Sequence, residues 1–77
     1  MSFEKYLKKI VQLPCEVEES EKNKYLYKIK LFASLVNDVN LQKCICKRLN
    51  TAKHVKSYSL WVYDTDLLHK YCLVEME

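Results

Sequence analysis

The sequence predicts an all-α domain, a small bundle of four or five short helices that is helix-turn-helix-like over residues 41–63. Two observations carry that expectation. The 77 residues contain no glycine and a single proline, Pro14. Tight hairpin turns, bulges and phosphate-cradling loops draw their positive φ angles from glycine, so its absence favours helices joined by Asn- or Asp-containing turns. Apolar residues also recur three and four apart in one segment after another, the period of a helix with one buried face. The alternative is an α+β fold, three helices followed by a C-terminal β-hairpin, winged-helix-like.

Taken in order, Ser2 caps a helix with Phe3, Tyr6, Leu7, Ile10 and Val11 on one face and Lys5, Lys8 and Lys9 outside. Pro14 ends it, because the residue before a proline is pushed out of helical geometry. A core-packing face suits this helix better than a membrane surface, since it is short and lacks Trp. Residues 15–24 are polar and acidic and read as a loop. A second helix starts from Ser20, with Tyr25, Leu26, Ile29, Phe32, Ala33, Val36 and Val39 as its apolar positions. Tyr25, Tyr27, Ile29 and Leu31 also alternate with lysines, as a strand would, but the helical pattern runs farther.

Asn40 opens a third stripe of Leu41, Cys44, Ile45 and Leu49, stopped at Asn50. Thr51 caps a fourth segment with Val55, Tyr58 and Val62 on one side. Asp64 or Thr65 caps a fifth, with Asp66 in its first turn and Leu68, Tyr71 and Cys72 inward. The competing pattern pairs residues 55–63 with 67–75 as a hairpin, because the run from Tyr58 to Tyr63 has strand propensity. No internal repeat or linker divides the chain, so residues 1–77 are expected to form one domain. A domain this small buries only about 60% of the surface its unfolded chain exposes, and a homodimer would add to its core.

Function is approached through charge. The net charge is +3, but residues 1–40 carry +1, residues 41–63 carry +5 and residues 64–77 carry −3. The middle stretch has Lys43, Lys47, Arg48, Lys53 and Lys56 with no Asp or Glu. Such segregation creates a local positive field and makes an anionic partner the first expectation. In a helix-turn-helix, Leu41–Leu49 would be the supporting helix and Ala52–Tyr63 the recognition helix, with double-stranded DNA as partner. The contact set is Lys43, Lys47, Arg48, Lys53, His54, Lys56 and Ser57. Lysines neutralise phosphates and release counterions, whereas base discrimination needs Ser57, His54 or Arg48 on a guanine. Ile45 to Asn50 loosely resembles the first half of such a motif, although Val55 comes one residue early for the core position that should follow.

The alternative function is a protein-interaction or inhibitor module using Tyr58, Trp61 and Tyr63, because Trp and Tyr dominate interaction hot spots. Twelve lysines against one arginine fit an AT-rich coding sequence of viral or phage type. The plainest reading of the lysines is that they solvate the outer faces of helices.

Other classes fit less well. Cys44, Cys46, His69 and Cys72 form the one conceivable zinc set, but on a helix Cys44 and Cys46 point about 200° apart, so no metal is expected. His54 and His69 lack an evident carboxylate partner, and catalysis is not expected. Without glycine there is no phosphate-binding loop, dinucleotide fingerprint or nucleophile elbow, so no cofactor is expected. Glu4, Lys5, Lys8 and Lys9 interrupt any apolar run before Leu13, which excludes a signal peptide or membrane span there. The four cysteines then read as reduced thiols of a cytoplasmic or nuclear protein.

Overall fold

The chain folds as one pattern used twice, a helix followed by an antiparallel hairpin, in a computed structural model that describes residues 3–32, 37–64 and 69–77. α1 (Phe3–Val11) precedes β1 (Cys15–Glu19) and β2 (Leu26–Leu31). α2 (Val39–Thr51) precedes β3 (Val55–Asp64) and β4 (His69–Met76). The hairpins join through an antiparallel β2–β4 pairing, so the sheet order is β1-β2-β4-β3. The fold is therefore α+β, and the expected all-α, helix-turn-helix-like bundle is overturned. Its recognition helix, residues 52–63, is turn and strand. The hairpin of the alternative is present as β3–β4, but among the described residues there are two helices where it expects three, and no winged arrangement: β2, inside a four-stranded sheet, takes the place of the second expected helix.

Side-chain alternation makes the strands. In β2, Tyr27, Ile29 and Leu31 are buried while Lys28 and Lys30 point the other way. Val17 lies opposite Ile29 and Ile29 opposite Cys72, and Tyr27 lies opposite Val74. A one-residue slip would turn this whole set to water. Leu7 and Val11 of α1 and Ile45 and Leu49 of α2 join the same buried cluster, so both helices cover one sheet face. Among the described residues no helix covers the opposite face. There Lys30 Nζ lies 3.2 Å from Glu18 Oε1, and Lys28 Nζ sits 5.1 Å from the centre of the Tyr71 ring.

Helix ends are built without glycine. The Asp38 carboxylate caps α2, accepting from the Asn40 and Leu41 amides at 3.0 and 3.1 Å. α1 ends in Gln12, whose φ of 56° is the left-handed conformation usually given to glycine, and its amide donates to the Lys8 carbonyl at 3.2 Å. The Arg48 guanidinium donates to the carbonyl of Val11, tying the two units together.

The failed expectations have local causes. Residues 15–24 hold β1, whose alternation shows only as Cys15 and Val17 between glutamates. Apolar positions beyond Leu31 extend the helical pattern of the second expected helix, yet Phe32 is 59% exposed and Ala33 and Val36 lie outside the described residues. In β3, a bulge between Val55 and Ser57 puts Val55 and Tyr58, three apart, on one sheet face, which imitates a helix. In β4, Cys72, Val74 and Met76 face the core and Tyr71 faces away. Ser2, Thr65, Asp66 and Leu68 lie outside the described residues.

Candidate polyanion-binding surface

Turning Leu7 and Val11 inward leaves Lys5 and Lys9, four apart, on the outer side of α1; turning Ile45 and Leu49 inward does the same for Lys43 and Lys47 on α2. All four are exposed, and none has an ion pair among the described residues. Lys53 is exposed in the turn after α2. By contrast, Lys8 lies 3.8 Å from Glu4, and Lys30 and Lys56 are paired across the sheet.

Charge is thus sorted by layer. The helices carry Lys5, Lys8, Lys9, Lys43, Lys47 and Arg48 against Glu4 alone, a net +5. The strands carry Glu16, Glu18, Glu19, Asp64 and Glu75 against Lys28, Lys30, Lys56 and Lys70, a net −1. Two cavities open on the helical layer, and among the described residues no carboxylate lines either. One, of about 550 Å³, lies between α1 and the turn after α2 and is lined by Lys5, Tyr6, Lys9, Ile10, Gln12 and His54. The other, of about 530 Å³, runs between α2 and β3 past Val39, Lys43, Cys46, Lys47 and Leu60.

The residues singled out in the sequence separate in space. Lys43, Lys47, Lys53 and His54 belong to the helical layer. Arg48 is half-buried against Val11. Lys56 and Ser57 face the sheet side, with Lys56 Nζ 3.9 Å and Ser57 Oγ 3.2 Å from the Glu75 carboxylate. Tyr58 braces α2, its hydroxyl donating to Asn50 Oδ1 at 2.9 Å and lying 3.4 Å from the Cys46 carbonyl. Burial, and then the neighbouring Cys46, push that hydroxyl above the usual tyrosine range. Trp61 is half-buried against the core, and its buried Nε1 has no hydrogen-bond partner among the described residues. Tyr63 is 53% exposed.

Sequence reasoning missed Lys5, Lys9 and Tyr6 as partners of this surface. Their signal was the polar side of the first amphipathic helix, which only the sheet order brings beside α2. Of the thiols, Cys44 is exposed, Cys46 half-buried, and Cys72 buried with its pKa pushed up to about 12 by burial and then by Cys46, while the side chain of His69 lies outside the described residues. Among the described residues no three His, Cys, Asp or Glu side chains form a metal-sized group, and no helix is long and apolar enough to cross a membrane. Comparison with protein-family models, curated proteins and solved structures found no match.

Proposed function

We propose that the protein is a non-catalytic binding module whose helical layer takes the phosphate backbone of a nucleic acid. The observation that supports this is the sorting of charge by layer, with Lys5, Lys9, Lys43 and Lys47 exposed on the helices and free of ion pairs among the described residues. Uncompensated lysines bind phosphates by releasing counterions, without sequence preference of their own. No helix-turn-helix enters this reading. The test compares two double variants in binding to a fluorescent oligonucleotide. Lys43→Gln with Lys47→Gln should weaken binding about tenfold or more at low salt, while Lys28→Gln with Lys30→Gln on the opposite face should change it little. Equal losses from both would refute a layer-specific surface.

A second reading, a protein-interaction or inhibitor module, is favoured by β3. It is a ten-residue edge strand with an exposed Tyr63, and edge strands offer unpaired backbone groups to a partner, including another copy of the chain. Its bulges oppose such pairing. Concentration-dependent self-association abolished by Tyr63→Lys would support it, and a strictly monomeric protein at high concentration would remove the homodimer.

A further inference from the structure

Within the cavity between α1 and the turn after α2, rings and cations meet. His54 is exposed, its ring 5.3 Å from that of Tyr6 and 6.4 Å from that of Phe3. Lys5 and Lys9 line it, about 6 Å apart along the helix axis, together with Gln12. The volume of about 550 Å³ falls in the range of small-ligand sites.

We infer that this cavity seats one nucleotide of a single-stranded nucleic acid, its base against the His54 and Tyr6 rings and its flanking phosphates on Lys5 and Lys9. The inference rests on the nucleic-acid reading of the helical layer and goes beyond it by naming the strand form. Stacking on an aromatic ring requires a base turned out of its stack, which a single strand supplies and a duplex resists. The Gln12 amide offers both a donor and an acceptor to a base edge. Lys43 and Lys47, exposed on α2 and lining the second cavity, would take further phosphates of the same strand. Single-stranded nucleic acid therefore replaces the duplex as the preferred partner.

The experiment uses three probes of equal length with the full chain at fixed salt: oligodeoxythymidylate, the same sugar-phosphate chain lacking bases, and a duplex. The wild type should bind oligodeoxythymidylate at least about fivefold more tightly than the abasic chain, the lower end of one stacked base. His54→Ala should narrow that preference while leaving the salt dependence unchanged. Equal affinity of the wild type for both, or a preference for the duplex, overturns the nucleotide site while leaving the phosphate-binding surface intact. Absence of salt-sensitive binding to all three overturns the surface and this inference with it. The probe comparison in the wild type needs no variant, so a poorly folded His54→Ala cannot obscure the answer.

Discussion

Replacing Arg48 with Met keeps an unbranched stalk and removes the guanidinium that donates to Val11 at the end of α1. A hydrogen bond to a charged donor contributes about 1.5–3 kcal/mol, and the contact also places a cation at a helix C-terminus. The Val11 carbonyl has left the intrahelical ladder, so its loss is not made up by a neighbour. A cost of about 2 kcal/mol is expected, against a total stability of roughly 4–12 kcal/mol for a chain of this length. That corresponds to a fall in Tm of about 10 °C, measured by circular dichroism or urea unfolding. Lys47→Met removes the same charge one residue earlier from an exposed position and should stay within about 0.5 kcal/mol of wild type. Arg48→Met should also leave the salt dependence of nucleic-acid binding untouched. If Arg48→Met and Lys47→Met prove equally mild, the tether between the two units is not what holds them in register.

Gln12→Gly relieves a left-handed residue that costs about 1–2 kcal/mol but loosens the unfolded chain, so a net gain of about 0.5–1 kcal/mol is expected in urea unfolding; a loss would mean the Gln12 side chain is needed. Cys72 titrates near 12 when folded against 9.0 for the free thiol, so its contribution is complete below pH 9 and is lost as pH rises towards 12. From about pH 8 to 10 the wild type should lose roughly 1 kcal/mol more stability than Cys72→Ala, and parallel pH profiles would contradict that burial. Thiol reagents should modify exposed Cys44 in the native protein and reach Cys72 only on unfolding, as peptide mapping would reveal.

Much of the fold was legible where one period stood alone. α1 matches the helix expected from Phe3 to Val11, and α2 the stripe from Leu41 to Leu49. Legibility failed where two periods overlapped. Tyr27, Ile29 and Leu31 alternate, yet Phe32 and its successors extended the match to a helix. Val55 and Tyr58 acquired helical spacing from a bulge that a sequence does not announce. β1 is a five-residue edge strand whose glutamates, useful in discouraging edge pairing, make it resemble a loop. Half of the candidate surface was visible as the cationic band holding Lys43, Lys47 and Lys53. The other half, Lys5 and Lys9, belongs to a distant stretch of chain and joins only through the sheet order. Arg48, Lys56 and Tyr58 were indistinguishable in sequence from binding residues, but the fold uses each for an internal contact.

The most direct test of the account is the slope of log affinity against log salt for oligodeoxythymidylate. Five contacts, from Lys5, Lys9, Lys43, Lys47 and Lys53, give a slope of about −3.5, a fall of roughly a hundredfold between about 50 and 200 mM salt. Changing Lys5, Lys9, Lys43 and Lys47 together to Gln should flatten it to about −0.7 with the fold intact. A slope that stays the same in the quadruple variant would contradict the helical layer as the place where phosphates bind.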